Sequence, residues 1–179
     1  MVHVLLIQGA GIGASDALIA DMRRCMGPRD TLDAPAMPLA DDPSPSRWLP
    51  AIGAALGGQS RPFVAIGHSL GGSSLLQWLG ANPAPVHLHA VITAAAPFWG
   101  DGGWSSAEFA LPAGARESLA EVPCLLLNGD ADDTVSVDHP ELYKGQLPHV
   151  ATRIVPGMDH DWAGGGGILL DAARALLPD

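Results

Sequence analysis

The sequence predicts an α/β fold, a three-layer α/β/α sandwich on a doubly wound and mostly parallel sheet of about six strands. Short runs that are apolar throughout alternate along the chain with longer amphipathic stretches. A run that is apolar on both faces fits a parallel strand that helices cover on each side. The chain has 179 residues, 47% of them hydrophobic, which is enough for one buried core. Because no repeat or linker divides it, we expect a single domain over residues 1–179.

Each element is recognised by its hydrophobic period and by the turn residues that bound it. The predicted strands are the apolar runs at residues 2–7, 62–67, 88–95, 123–129 and 151–157, with a weaker one at 31–35. The predicted helices cover the amphipathic stretches at residues 14–26, 46–56, 69–79, 115–121 and 168–177. The Pro-rich segment 35–45 and the Gly-rich segment 164–167 are predicted loops, and His139 is placed in a polar crossover.

Composition argues against several classes of partner. The formal net charge is -10, from 19 acidic and 9 basic residues, which disfavours nucleic acid because phosphate binding needs clustered Lys and Arg. No apolar run approaches the ~20 residues that span a bilayer, and no basic region precedes residues 2–7. We therefore expect no membrane partner and a cytoplasmic protein. Cys25 and Cys124 are too few for a disulfide scaffold. The pairs of aspartates at 41–42 and 159–161 lack the histidine or cysteine partners and the spacing of a metal site.

The segment after the third predicted strand carries the strongest catalytic pattern. Gly67, His68, Ser69, Leu70 and Gly71 match G-x-S-x-G between an apolar strand and a helix that opens with small residues. Such a strand-to-helix turn needs both glycines because neighbouring backbone approaches closely, and it holds the serine above the sheet edge. The Leu70 N–H then lies at a helix N-terminus, where it favours developing negative charge. The alternative is a glycine-rich turn whose serine only caps the helix.

A serine nucleophile needs a histidine base and a carboxylate that orients it, and in this arrangement they follow in the order Ser, acid, His. Asp130, Asp132 and Asp133 come after the fifth strand, at the sheet edge where open α/β sheets place their sites. For any one of them the alternative is a solvated acidic turn. His160 follows the sixth strand, just before the last predicted helix. We predict His160 as the base and one of the aspartates as the orienting acid.

The loop after the first strand has two interpretations. Gly9 to Ala14 match the G-x-G-x-x-G/A pattern of a dinucleotide-binding loop, and Asp30 or Asp33 lies near the distance expected for a ribose-binding acid. That interpretation leaves Ser69 and the late loops unexplained. An oxyanion-binding loop also needs glycines, so that its backbone N–H groups can face a substrate carbonyl. We favour the second interpretation because the pattern is weak in a chain with 22 glycines.

Together these residues resemble the α/β-hydrolase superfamily, and specifically the small, nearly lidless serine hydrolases of the retinoblastoma-binding-protein and YdeN type. The resemblance covers nearly the whole chain, including the first strand and loop, segment 36–43, the helix that begins near Arg47 and the two late loops. It implies an α/β-hydrolase fold with little or no lid and a strand order of 2-1-3-4-5-6.

The resemblance also implies roles for residues in the late loops. In the family the acid lies three residues after the glycine that closes the late strand, as Asp132 follows Gly129, so Asp132 is chosen over its two neighbours. The base follows a short glycine-containing turn, as His160 follows Gly157. In other members that histidine commonly follows the glycine directly, whereas here residues 158–159 intervene. By the same resemblance the second oxyanion donor, beside Leu70, is the N–H of Ala10, with Gly11 as the alternative.

The expected function is that of a serine hydrolase without a cofactor, which cleaves a small acyl ester, thioester or amide through an acyl-enzyme intermediate. Phe98, Trp99 and Trp104, together with Gly11, are candidates for the substrate pocket, although the aromatic residues fit ordinary packing equally well. The chain has no room for a large lid before Asp132, so we expect a shallow site. The alternatives are a non-catalytic module that binds a protein partner on this scaffold and a dinucleotide-binding protein that uses loop 9–14.

Overall fold

The computed structural model describes residues 1–177, so the last two residues of the expected domain, 178–179, lie outside the described residues. The strands in this range are β1 (His3–Ile7), β2 (Thr31–Asp33), β3 (Phe63–His68), β4 (Leu88–Ala94), β5 (Cys124–Gly129) and β6 (Ala151–Val155). The helices are α1 (Asp16–Cys25), α2 (Pro45–Gly57), α3 (Leu70–Ala81), α4 (Ala115–Ser118), α5 (His139–Gln146) and α6 (Gly166–Leu176). None of the helices in residues 1–177 has the length and apolar character needed to reach across a bilayer.

The strands form one sheet in the order β2-β1-β3-β4-β5-β6. Every strand pairing within residues 1–177 is parallel, so all carboxyl ends lie along the same edge. The predicted fold class and strand order are therefore confirmed. The chain runs outward from β1 to β2 and then returns to β3, which makes the β1–β3 pair a topological switch point. Open α/β sheets bind ligands in the crevice at the carboxyl ends beside such a point.

The sheet separates two apolar cores, and successive strand residues alternate between them. Leu5 and Ile7 of β1 face the core formed with α2, α3, α4 and α5, where Trp48 is fully buried. Val4 and Leu6 face the opposite core, formed with α1 and α6. Burial on both faces explains why β1, β3, β4 and β5 are mainly apolar along their whole length rather than alternating with polar residues.

Helix α5 was missing from the sequence prediction, which placed His139 in a polar crossover. It spans only eight residues and begins at His139, with a proline in its first turn. Its buried positions are His139, Pro140 and Tyr143, so the apolar repeat that announces a helix is too weak in this segment. The helix is stabilised by tertiary contacts of Tyr143, which is buried in the core beneath it.

Helix α6 begins at Gly166 and so includes the last two residues of the predicted Gly-rich loop 164–167, which corrects that boundary. The Gly166 N–H donates a 2.6 Å hydrogen bond to the buried carboxylate of Asp21 in α1. A Cβ atom on Gly166 would lie closer than 3.0 Å to the Met22 backbone nitrogen. Glycine is therefore present because α1 and α6 cross closely here, not because the chain forms a flexible loop.

Asp30 ties three separated parts of the chain together at the amino-terminal edge of the sheet. One carboxylate oxygen accepts from Val2 N at 2.8 Å, and the other accepts from Gly27 N at 3.0 Å and from the Arg174 guanidinium at 2.8 Å. The hydrogen bond from the Val2 backbone and that from Arg174 lower the pKa of Asp30 to about 2. The ionised carboxylate is thus an anchor for β1, the turn before β2, and α6.

We predict that Asp30→Asn lowers the free energy of unfolding at neutral pH by about 1 to 3 kcal/mol, because a charged acceptor with several donors is replaced by an amide. The pKa of Asp30 is lower in the folded protein than its ordinary value of 3.8. The stabilisation is therefore complete above about pH 5 and is lost as the pH falls through 4 towards 2. Urea unfolding of both proteins across this pH range measures the difference.

Asp33→Asn is the matched control, since Asp33 is exposed on β2 and accepts a 3.1 Å hydrogen bond from Gln59. It should change the unfolding free energy by less than about 0.5 kcal/mol. A stability gap between wild type and Asp30→Asn that is as large at pH 3 as at neutral pH would contradict the assigned role of the Asp30 carboxylate.

Candidate active site

Ser69 occupies the sharp turn between β3 and α3. Its backbone has φ of 50° and ψ of -125°, in the left-handed half of the φ range that side chains rarely adopt. The Ser69 N–H donates to Ala94 O at 2.8 Å, which holds the turn against the end of β4. Strain of this kind persists only where surrounding contacts enforce it, and here it places the Ser69 side chain at the carboxyl edge of the sheet.

Glycines on both sides of Ser69 permit this turn. A Cβ atom on Gly71 would lie closer than 3.0 Å to the carbonyl oxygens of Ile7 and Gln8, at the end of β1. A Cβ atom on Gly67 would collide with the backbone of Gly72 in the first turn of α3. The obstructing atoms are backbone atoms in both cases and cannot move aside, so the G-x-S-x-G pattern is a packing requirement at this position.

Three side chains from three loops form a continuous hydrogen-bonded line. Ser69 Oγ lies 3.0 Å from His160 Nε2, and His160 Nδ1 lies 3.1 Å and 3.0 Å from the two carboxylate oxygens of Asp132. The Asp132 side chain is fully buried, and that of His160 is 19% exposed. An ionised carboxylate only accepts hydrogen bonds, so the Asp132 side chain favours a proton on Nδ1 and leaves Nε2 to accept from the serine hydroxyl.

Asp132 is held in place by its own loop. Its Oδ1 accepts hydrogen bonds from Thr134 N at 2.9 Å and Val135 N at 2.8 Å, an arrangement that closes the loop after β5. The side chain of Asn128 donates to Val135 O at 2.9 Å and fixes the far side of that loop. The structure thus brings Asp132 to His160, whereas its two acidic neighbours have other contacts.

The loop before His160 packs directly on the loop after β5 that carries Asp132. Ala131 N donates to Met158 O at 3.1 Å, and Gly157 N donates to a carboxylate oxygen of Asp130 at 2.6 Å. A Cβ atom on Gly129 would collide with the Met158 carbonyl, so the two loops touch through their backbones. The residues that intervene between Gly157 and His160 are accommodated in this contact, and His160 still reaches Ser69.

Loop 9–14 lies beside Ser69 at the end of β1. A Cβ atom on Gly9 would lie 3.1 Å from the Cβ of Ser69, so this loop borders the serine directly. The Gly11 N–H donates to Ala40 O at 2.8 Å, and the Ile12 N–H donates to the Asp41 carboxylate at 2.8 Å. Ala10 is exposed, and its N–H makes no hydrogen bond within residues 1–177.

Comparison with solved structures identifies the architecture. The YdeN gene product of B. subtilis matches with a TM-score of 0.73 and 16% identity, over 98% of this chain and 98% of that chain. A pyrethroid hydrolase from Sphingobium faniae gives 0.71 and 14%, over 97% and 96%, and Est1E from Butyrivibrio proteoclasticus gives 0.69 and 13%, over 97% and 86%. The chain has the α/β-hydrolase fold. No family model matches the sequence, and no curated protein matches it.

The α/β-hydrolase fold, with YdeN among its neighbours, confirms the resemblance seen in the sequence. The hydrogen bonds of loop 9–14 disfavour its dinucleotide interpretation, because a pyrophosphate needs unpaired backbone N–H groups. Those of Gly11 and Ile12 already have acceptors. Of the two candidate ribose-binding acids, Asp30 precedes β2 and lies at the amino-terminal edge of the sheet, opposite to Ser69. Asp33 ends β2 at the carboxyl edge, where its carboxylate accepts a 3.1 Å hydrogen bond from Gln59.

Two buried polar residues beside Ser69 received no role in the sequence analysis. The ring of His68 is 1% exposed, and its nitrogens lie 2.8 Å from Ser15 Oγ and 2.8 Å from the carbonyl oxygen of His160. Ser15 Oγ in turn accepts a 2.9 Å hydrogen bond from Gly9 N. The sequence could identify His68 only as the variable residue of the G-x-S-x-G pattern, because Ser15 and the His160 carbonyl are distant in the chain.

The aromatic residues that were candidates for the substrate pocket lie in a tight loop after β4. Trp104 N donates to Phe98 O and Gly100 N donates to Trp104 O, both at 2.9 Å, which folds the loop back on itself. Phe98 is buried, whereas Trp99 and Trp104 are partly exposed, and the two indole rings meet edge to face with 5.0 Å between centroids. The indole N–H of Trp99 donates to Ser73 in α3 at 3.2 Å.

The start of this aromatic loop is anchored from two helices. Ser73 of α3 and Tyr143 of α5 both donate to the Pro97 carbonyl, at 2.6 Å and 2.7 Å. His139 Nδ1 accepts a 2.7 Å hydrogen bond from Phe98 N, and burial lowers the pKa of His139. A neutral ring can accept this hydrogen bond, so α5, which the sequence analysis missed, helps to hold the aromatic loop in place.

An open depression of about 380 Å³ borders His160 on its solvent side. Its lining includes the carboxylates of Asp133, Asp159 and Asp161. These groups add to the net negative charge of the chain, so the approach to His160 is electronegative.

Proposed function

We propose that the protein is a serine hydrolase in which Ser69 is the nucleophile, His160 the general base and Asp132 the orienting acid. The observation that carries the proposal is the line of hydrogen bonds from Ser69 Oγ through His160 to Asp132, with distances of 3.0 to 3.1 Å. The strained backbone of Ser69 at the head of α3 supports it, since a serine that merely capped the helix would need no such conformation. Its hydroxyl makes no capping hydrogen bond.

The proton moves along the same line. His160 Nε2 takes the hydroxyl proton as Ser69 Oγ attacks the acyl carbon, and the imidazolium then donates that proton to the leaving group. This leaves an acyl group on Ser69, which a water molecule, deprotonated by His160, removes in the second half of the reaction. The buried carboxylate of Asp132 stabilises the imidazolium and fixes the ring orientation through both steps.

The N–H groups of Ala10 and Leu70 are the proposed oxyanion hole. Leu70 is the first residue of α3, where a backbone N–H has no partner within the helix and the helix dipole favours negative charge. The Ala10 N–H is unpaired within residues 1–177, whereas that of Gly11 is bonded to Ala40 O. This difference supports Ala10 over Gly11 as the second donor, and each such donor typically contributes about 100- to 1000-fold to the rate.

The proposed substrate is a small ester without negative charge. The segment between β4 and β5 contains the four-residue helix α4 and the folded aromatic loop, which leaves little chain for a lid over Ser69. Trp99 and Trp104 present partly exposed rings next to α3, which suits a compact apolar acyl group. The carboxylates around His160 repel anionic groups. Neighbours of this fold that are named as an esterase and a pyrethroid hydrolase agree with ester chemistry.

Thioesters and amides share the acyl-enzyme intermediate and belong to the same proposal. A purely partner-binding role is less well supported, because binding gives no physical reason to aim a serine, a histidine and a buried carboxylate at one another.

We predict that Ser69→Ala reduces kcat for p-nitrophenyl acetate by about 10⁶-fold, because no other group accepts the acyl chain. Initial rates at saturating ester measure the change. Ser60→Ala, at an exposed serine, is the matched control and should retain the wild-type rate. Wild-type turnover that persists in folded Ser69→Ala would contradict the proposal.

We predict that Asp132→Asn lowers kcat by about 10⁴-fold, because the amide no longer fixes the reactive tautomer of His160 or balances its charge. The neighbouring Asp133→Asn changes an exposed carboxylate by the same chemistry and should have a small effect on kcat. Equal losses in the two variants would show that the acid has been wrongly assigned.

We predict that kcat/KM is higher for p-nitrophenyl acetate and butyrate than for the palmitate ester, because the proposed shallow site contacts only a short acyl group. All three esters should be compared at the same concentrations in one buffer with detergent above its critical micelle concentration, so that the solubility of the palmitate ester does not limit the rates. A preference for the palmitate ester would contradict the proposed small acyl site.

A further inference from the structure

His68 connects two loops that flank Ser69 without itself facing the reacting atoms. Its ring is buried between the start of α1, which supplies Ser15, and the loop that carries His160. The centroids of the His68 and His160 rings lie 5.7 Å apart with the rings tilted at 42°, so the two histidines are in contact but are not hydrogen-bonded through their side chains. The contact of His68 is with the backbone carbonyl of His160.

The chemistry of the two outer partners, the Gly9 N–H and the His160 carbonyl, fixes two of the three hydrogen-bond directions in this chain, and a neutral His68 ring fixes the third. The His160 carbonyl can only accept, so His68 Nε2 carries a proton and donates it. A neutral ring then offers Nδ1 as an acceptor for the Ser15 hydroxyl proton. The Ser15 oxygen accepts from Gly9 N, which can only donate. Each donor therefore meets one acceptor, provided that His68 is neutral in its Nε2–H form. Burial lowers the pKa of His68, which agrees with a neutral ring.

Ser15 supplies an independent observation. It occupies the N-cap position of α1, where a serine hydroxyl normally accepts from a backbone N–H of the first turn. In this structure Ser15 makes no side-chain cap hydrogen bond, and its hydroxyl lies between Gly9 and His68 instead. The residue is 1% exposed, so water does not replace these contacts. The Ser15 hydroxyl therefore binds Gly9 and His68 in place of the usual N-cap hydrogen bond.

We propose that His68 is a positioning residue that holds the His160 loop and loop 9–14 in register with Ser69. The inference rests on the proposed function, since it concerns the geometry of that reaction. Gly9 precedes the proposed oxyanion donor Ala10, and the His160 carbonyl belongs to the proposed base. Both therefore take their position from a ring that directly precedes the nucleophile in the chain. A displacement of about 1 Å in such an arrangement typically costs about 100-fold in rate.

Three variants separate the two ends of the connection. His68→Asn keeps an oxygen near the place of Nδ1 and loses the donor to His160. His68→Gln keeps an N–H near the place of Nε2, so it should largely rescue the donation. Ser15→Ala breaks the connection to Gly9 from the other side, without any change in His68.

Steady-state kinetics with p-nitrophenyl acetate tests the role. We expect kcat of His68→Asn to fall by about 10- to 100-fold with KM changed by less than about threefold, and His68→Gln to recover most of that loss. Ser15→Ala should lower kcat by about tenfold. The double variant His68→Asn/Ser15→Ala should lose less than the product of the two single effects, because both residues belong to one chain of hydrogen bonds. Ser74→Ala, which removes a buried hydroxyl without a hydrogen-bond partner in residues 1–177, is the matched control and should retain the wild-type kcat.

The tautomer of His68 provides a readout that does not depend on activity or on the stability of a variant. Nitrogen-15 NMR of the wild type should show His68 neutral, with its proton on Nε2, at neutral pH. A proton on Nδ1, an unchanged kcat in His68→Asn, or equal losses in His68→Asn and His68→Gln would each overturn the positioning role. A wild type that turns over no ester would instead contradict the proposed function and would overturn the positioning role with it.

Discussion

The close approach of the first turn of α3 to the ends of β1 and β3 is the constraint on which the rest of the site depends. It requires the absence of a side chain at Gly67 and Gly71, and it forces Ser69 into its strained conformation. The same contact brings loop 9–14 against Ser69, since a Cβ atom on Gly9 would lie only 3.1 Å from the Ser69 Cβ. The position of the serine, the helix N-terminus beside it and the glycine loop therefore follow from one packing arrangement.

The two late loops depend on each other in a similar way. They are joined by two backbone hydrogen bonds, from Asp130 N to Val155 O at the end of β6 and from Ala131 N to Met158 O, and by the close contact of Gly129 with Met158. This explains how the two residues between Gly157 and His160 leave the 3.0 Å distance to Ser69 intact. It also explains why the spacing of the histidine from the preceding glycine is a weaker guide than its place after the last strand.

The sequence was informative where a pattern is local. Apolar runs predicted the parallel sheet, and the glycines around Ser69 predicted the turn, because both requirements act over a few neighbouring residues. Helix α5 was not predicted from the sequence, because its stabilising contacts come from the core and its own apolar periodicity is weak. The hydrogen bonds of His68 could not be predicted from the sequence, because its partners Ser15 and His160 are 53 and 92 residues away in the chain. The choice among three neighbouring aspartates came from a family resemblance, since each has the same local chemistry.

Activation of Ser69 by His160 can be measured by intact-protein mass spectrometry after treatment with a fluorophosphonate, followed by peptide mapping. The probe reacts with a serine only when a base has activated its hydroxyl, so it reports on the Ser69–His160 contact without any assumption about the substrate. The account predicts one adduct, located on Ser69 and absent from Ser69→Ala. A folded wild-type protein that forms no adduct, or forms it on another residue, would contradict the account.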